Sequence, residues 1–263
     1  MENTSSKRLV DELIEDKEFN QKILKTLKSK NVLSPSIFDG SLKMHDNIRK
    51  RLLEISDLFV DYVGIDFFIH DIILTGSLAN YNWSKFSDVD LHILIDMSEF
   101  TPNNSQTDSS FNLIIKEFFM AKKSLWNNSH DIKIKGFDVE IYVEDIDEEH
   151  ISSGVYSILD NKWVIKPQKK KEMIDERTIL EKGDEYANLI DSLPEKAENG
   201  INIVDQINDI SDKLKKFRKT GLESGGEYSY ENLTFKLLRR NGYIEKLHNL
   251  KKKYLDKNLS IPR

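Results

Sequence analysis

The 263-residue chain contains no cysteine, which excludes a disulfide framework and a thiolate zinc site. No apolar run approaches the length of a membrane span, and the opening residues MENTSSKRLVDELIED hold no apolar segment of the secretory type. There is no internal repeat. Positive charge is also short, since 39 Lys and Arg against 45 Asp and Glu leave a net charge of −6. That balance argues against a protein that coats nucleic acid over its whole surface. These absences point to a globular protein of the cytoplasm. The deficit is uneven, because residues 201 to 263 hold 14 Lys and Arg against 8 Asp and Glu, a local balance of +6 that leaves −12 for the first 200 residues. The basic end is where a polyanion would land, although Lys-rich helices are more often solvated faces.

Apolar residues make up 38% of the chain, enough for a core, and their spacing divides it into three. Residues 4 to 30 read as a helix or helix pair, capped by Ser5 or Ser6 and striped by Leu9, Val10, Leu13, Ile14, Phe19, Ile23, Leu24 and Leu27. A connection follows, marked by Ser34-Pro35-Ser36 and Asp39-Gly40-Ser41. Ile48, Leu52, Leu53, Ile55, Leu58, Phe59 and Tyr62 predict a strong helix from Asp46 to Tyr62, and Phe111, Ile114, Ile115, Phe118, Phe119 and Leu125 predict another from Ser110 to Trp126, packed on a sheet. Strands are predicted at Ile72–Thr75, Leu91–Ile95, Ile132–Lys135, Phe137–Val143, Val155–Leu159 and Lys162–Ile165. Beyond Pro167 the pattern turns helical, across 169–193, 201–222 and 230–256, with breaks at Pro194–Gly200 and in the loop 224–229. The expected division is an N-terminal helical segment over 1–43, a domain of helices and strands over 44–166, and a helical domain over 167–263.

The chemistry lies between Ile72 and Ile95. An apolar strand ends in Thr75-Gly76-Ser77, a polar and aromatic loop follows, and Asp88-Val89-Asp90 opens a second apolar strand. Alternation along a strand puts Asp88 and Asp90 on one face and Val89, Leu91, Ile93 and Ile95 on the other. Two carboxylates side by side repel unless a cation lies between them, and oxygen ligands of this kind suit Mg²⁺ or Mn²⁺. Gly76 permits a close or left-handed backbone, and Ser77 with the following amides offers donors to a phosphate. In the loop, Lys85 is placed to reach a phosphate, while Tyr81, Trp83 and Phe86 either stack on a base or anchor the loop to the core. His92 shares the acidic face, either orienting a carboxylate or packed as a structural histidine. A later apolar strand, Gly136 to Val143, presents Asp138, Glu140 and Tyr142 on one face, so either acid can join the pair. Glu140, deeper in the strand, is preferred, and Asp138 is the alternative.

Gly76-Ser77, ten intervening residues, Asp88-x-Asp90 and a third acid on an apolar strand together resemble the signature of the nucleotidyltransferase superfamily, whose fold is that of the catalytic domain of DNA polymerase beta. Over most of its length, from Pro35 through Phe38-Asp39 and into the stretch Tyr230–Leu247, the chain is similar to predicted nucleotidyltransferases encoded by tailed bacteriophages. The resemblance implies an α+β fold: a small mixed β-sheet core flanked by helices, with a C-terminal helical domain. It implies Asp88, Asp90 and Glu140 as catalytic and metal-binding residues, Gly76, Ser77, Lys85 and Ser87 as nucleotide-binding residues, and Mg²⁺ or Mn²⁺ as cofactor.

The implied reaction passes a nucleotidyl group from an NTP to an acceptor hydroxyl and releases pyrophosphate. An RNA or tRNA 3′ end, or a protein side chain, is slightly favoured as acceptor over a small molecule or self-cyclisation, and no membrane partner is expected. Tyr228, Tyr230, Lys236, Arg239 and Arg240 are expected to line the far wall of the nucleotide cleft. The competing expectation is a catalytically silent nucleotide-sensing or partner-binding module on the same fold. The acidic run Glu144–Glu149 lacks the spacing and central glycine of a calcium loop, and Ser152-Ser153-Gly154 reads as a turn.

Overall fold

A computed structural model describes residues 20–100, 109–148, 152–169 and 174–261. The chain forms two compact units, one spanning Ser29–Lys171 and the other joining the residues up to Lys28 to those from Glu172 onward. Among the described residues, no helix is long and apolar enough to cross a membrane.

The unit over 29–171 is an α+β structure built on a six-stranded mixed sheet, as the sequence predicts. A helix over 20–27 (α1) belongs to the other unit. Helix α2, Asp46–Val63, buries Ile48, Leu52, Ile55, Phe59 and Val63, one apolar stripe at helical spacing. Strand β1, Asp71–Thr75, and strand β2, Val89–Ile95, pair antiparallel. Strict alternation in β2 buries Val89, Leu91, Ile93 and Ile95, none more than 1% exposed, and turns Asp90, His92 and Leu94 to the other face. A long crossover helix, α3 (Ser109–Ser129), follows. The hairpin β3 (Lys133–Ile134) and β4 (Phe137–Asp145) turns on Lys135 and Gly136, whose φ angles of 53° and 87° are the left-handed pair that a two-residue hairpin requires. Strands β5 (Val155–Ser157) and β6 (Lys162–Ile165) complete the order β3-β4-β2-β1-β5-β6, in which β2 and β4 are the parallel pair.

Helix α3 departs from its predicted contacts. Phe119 and Trp126 are buried, while Ile114 and Leu125 are 61% and 57% exposed. A residue next to a buried helical position points about 100° away from it, so a stripe centred on Ile115, Phe119 and Trp126 leaves those two outside. The connection 31–46 is structured rather than open. Phe38 stacks on Trp163 at 5.0 Å and meets Tyr156 edge-on at 5.3 Å, while the Trp163 indole donates to the Leu42 carbonyl at 2.7 Å. These contacts tie residues 34–44 to β5 and β6 and place 29–43 in the sheet unit, apart from α1.

The second unit gathers α1, α4 (Glu176–Asp191), α5 (Leu193–Glu198), α6 (Val204–Gly225), α7 (Tyr230–Arg240) and α8 (Tyr243–Leu259). Ile23, Leu24 and Leu27 of α1 bury against Ile179, Leu233 and Leu237, which is why the described end of the N-terminal segment joins the C-terminal helices. The rest of the predicted helix over 4–30 lies outside the described residues. Asp175 caps α4 by accepting from the Thr178 amide at 3.1 Å, and Ser229 caps α7 by accepting from the Asn232 amide at 3.3 Å. The predicted break at Pro194–Gly200 is instead mostly the short helix α5, with Pro194 in its first turn, where a missing N–H costs nothing. Among the cations of α7, Arg239 is exposed, whereas Lys236 and Arg240 are half-buried, and Arg240 Nη1 donates to Thr26 Oγ1 at 2.7 Å. Burial pushes the Lys236 ammonium down to about 8, with Glu227 opposing the shift.

The packing of α2 gives a direct test. Leu52 is 0% exposed and Leu58 is 58% exposed on the same helix. Leu52→Ala is expected to lower unfolding stability by about 2–5 kcal/mol, and Leu58→Ala by less than about 0.5 kcal/mol. Urea denaturation of the two variants measures the difference.

Candidate active site

Asp90 is the second residue of β2 and Glu140 the fourth of β4, and the parallel register sets them side by side. Asp88 lies one residue before β2, so its direction comes from the loop end rather than from strand alternation. The three carboxylates are half-buried, and each offers an oxygen within 4.8 Å of the others. Asp138 lies two residues earlier on β4, exposed and ion-paired with Lys133. The deeper position of Glu140 is what separates the two acids.

The turn after β1 is shaped to admit the cluster. Gly76 has φ of +70°, and a Cβ built there would sit 1.8 Å from Asp90 Oδ2. A side chain would therefore meet both a strained backbone and a carboxylate oxygen. Ser77 and Ser87 close the loop between the two strands: the Ser77 hydroxyl donates to Ser87 Oγ at 2.7 Å, and Ser87 Oγ accepts from the Ser84 amide at 3.0 Å. Lys85 is exposed, its ammonium 4.9 Å from the centre of the Phe86 ring. Among the loop aromatics, the Trp83 indole donates to the Val32 carbonyl at 2.9 Å, and the Tyr81 carbonyl accepts from the Lys30 amide at 2.6 Å. Both rings pack against the core, which is the anchoring role of the two open at the sequence level.

Below the acids the same sheet face carries a polar column. The Tyr142 hydroxyl donates to Glu140 Oε2. Burial, then the Glu140 hydrogen bond and the charges of Glu140, Asp90 and Asp88, push the phenol far above its ordinary value, so it stays a donor. His92 stacks on the Tyr142 ring at 4.6 Å, and its nitrogens meet Thr75 Oγ1 at 3.0 Å and Glu144 Oε1 at 2.8 Å. Lys123 of α3 places its ammonium 3.5 Å from the centre of that ring. Burial lowers the Lys123 pKa, against the pull of Glu140, Asp90 and Glu144. Sequence reasoning missed Lys123, which sits among the lysines of an amphipathic helix with nothing to single it out. Tyr142 and Glu144 had a usable signal, namely strand parity with Glu140.

The remaining acidic run is spread out, with Glu144 on His92 and Glu148 on Lys116. At the start of β5, Ser152 Oγ donates to the Gly154 carbonyl at 2.8 Å and Ser153 accepts from Asn80. Oxygen-only donors converging from three carboxylates fit a hard divalent cation such as Mg²⁺ or Mn²⁺.

No protein-family model matches the chain, and no curated protein matches it. A solved STING-associated CdnE c-di-GMP synthase from Capnocytophaga granulosa is similar at 13% identity, over 82% of this chain and 84% of that one, with a TM-score of 0.23. A likeness at that score decides neither fold nor chemistry for this chain, and both rest on the geometry above.

Gly76 is the sharpest constraint on the cluster. Gly76→Ala is expected to lower stability by roughly 1–3 kcal/mol and to displace the Asp90 carboxylate. Thermal melting combined with Mn²⁺ titration checks this; a variant that melts and binds Mn²⁺ like wild type refutes the close approach.

Proposed function

We propose that the chain is a metal-dependent nucleotidyltransferase that moves an NMP from an NTP to an acceptor hydroxyl and releases pyrophosphate. The observation that carries this reading is the meeting of Asp88, Asp90 and Glu140 within 4.8 Å beside the Gly76-Ser77 turn. The sequence resemblance described above supports it, through the order and spacing of the same residues. A bound Mg²⁺ or Mn²⁺ would supply positive charge to offset what develops on the transferring phosphoryl group.

The residues divide that task by position. Asp88 and Asp90, at the mouth of β2, would hold the divalent cation together with Glu140. Gly76 leaves room for close approach of backbone, carboxylate and phosphate, and the amides after it, with Ser77, Ser87 and Lys85, face the phosphate tail. Glu140 completes the oxygen donors on the side where the acceptor hydroxyl attacks the α-phosphorus, as the bond to pyrophosphate breaks. An RNA or tRNA 3′ hydroxyl, or a protein hydroxyl, is the favoured acceptor. The +6 balance after residue 200 motivates the nucleic-acid option.

Incubation with each α-labelled NTP, Mg²⁺ or Mn²⁺, and a cell extract tests the reading by showing which fraction takes up label. Asp88→Asn with Asp90→Asn is expected to lose both NTP binding in calorimetry and label transfer, by at least about 100-fold. Glu140→Ala should lose transfer while keeping most NTP binding, and Asp138→Ala should transfer near the wild-type rate. Equal NTP binding by wild type and the double Asn variant, with no transfer by either, would instead identify a silent nucleotide-binding module.

A further inference from the structure

The polar column beneath the acids is a chain of direct contacts that ends on Glu140. Tyr142 lies two residues after Glu140 on β4, with its side chain on the same sheet face, and its hydroxyl reaches back to Glu140 Oε2. His92, its register partner on β2, stacks flat on the ring, with 12° between the planes. The Lys123 ammonium, 3.5 Å from the ring centre, takes the opposite ring face, because the imidazole fills the first. His92 is in turn held at Nε2 by Thr75 across the sheet, and its Nδ1 lies 2.8 Å from Glu144 Oε1, one same-face step further along β4. A ring covered on both faces, on one of them by an imidazole that is itself held, has little freedom to swing its hydroxyl away.

We propose that Tyr142, clamped between His92 and Lys123, is a positioning residue that holds one oxygen of Glu140 so that the other is presented to a divalent cation shared with Asp88 and Asp90. This rests on the metal-site reading given above. A donor that fixes one carboxylate oxygen orients the ligand, and loss of such a partner typically weakens metal affinity by about 10–100-fold. Lys123 contributes with two signs. Its cation–π contact steadies the ring, while its charge, felt by Glu140, Asp90 and Glu144, opposes an incoming cation. Methionine at 123 keeps a flexible stem able to lie against the ring and removes the charge.

The test is Mn²⁺ affinity of the full chain without nucleotide, from the electron paramagnetic resonance signal of the free ion, with melting curves of every variant. Tyr142→Phe keeps the ring and its stacking and removes only the hydroxyl, so Mn²⁺ is expected to bind about 10–100-fold more weakly while the metal-free melting temperature stays within a few degrees. Lys123→Met is expected to bind Mn²⁺ several-fold more tightly, by roughly three- to tenfold. Opposite signs separate orientation from mere packing, since a purely structural column would weaken in both variants or respond in neither. Wild-type affinity in Tyr142→Phe, or weaker binding in Lys123→Met, overturns the proposal. Should Tyr142→Phe fail to fold, wild-type crystals soaked in MnCl₂ decide it: manganese on the Glu140 oxygen that Tyr142 does not hold supports the proposal, and manganese on the held oxygen overturns it. Asp88→Asn with Asp90→Asn is the control: if it binds Mn²⁺ as wild type does, the metal-site reading itself falls, and the inference with it.

Discussion

Mutual repulsion of three carboxylates is the constraint to which the sheet unit is fitted. Asp88, Asp90 and Glu140 lie within 4.8 Å of one another in a half-buried setting, where like charges cost more than they do in water. The parallel register of β2 and β4 enforces the approach, because Asp90 cannot leave Glu140 without breaking the pairing of Val89–Ile95 with Val139–Asp145. The other face of those strands is core, with Leu91, Ile93 and Ile141 at 0% exposure, so a slip of register would drive Asp90 into apolar surroundings. Hydrophobic burial on one face therefore holds an electrostatically costly arrangement on the other. Tyr142 and Lys123 offset part of that cost.

The loop between β1 and β2 serves the same arrangement. Its aromatic residues are fastened to residues 30–32, its serines to each other, and its glycine makes room for the Asp90 carboxylate. A loop pinned in this way keeps the cluster's geometry without help from a ligand, as a preorganised site requires. In the helical unit the cations of α7 are used differently. Arg240 reaches Thr26, and Lys236 is buried enough to depress its ammonium, so part of the basic charge after residue 200 is spent on packing.

Much of this was legible in the sequence where one period dominated. Alternation in Val89–Ile95 has a single solution, and the structure adopts it; the 3.6-residue stripe in Asp46–Val63 buries Ile48, Leu52, Ile55 and Phe59 but leaves Leu58 and Tyr62, expected on it, exposed. The three acids were legible because residue type and strand parity agree at Asp90 and Glu140. What parity missed was contact between elements distant in sequence: Lys123 over Tyr142, or Phe38 against Trp163, depends on how α3 and the 34–44 segment cross the sheet. Local signals also misled where two rules competed. Pro194 reads as a breaker but sits in the first turn of α5, and Ile114 and Leu125 read as core because apolar type was weighed without the 100° step that carries them outside the stripe.

The proposed chemistry requires that Asp88, Asp90 and Glu140 share one divalent cation. Crystals soaked in MnCl₂ and measured at an energy giving strong anomalous scattering from manganese test it most directly. The expected result is an anomalous peak bound by oxygens of all three carboxylates, with Tyr142 still on the far oxygen of Glu140. Manganese sites elsewhere on the surface, with the three carboxylates left ion-free at saturating Mn²⁺, would contradict it.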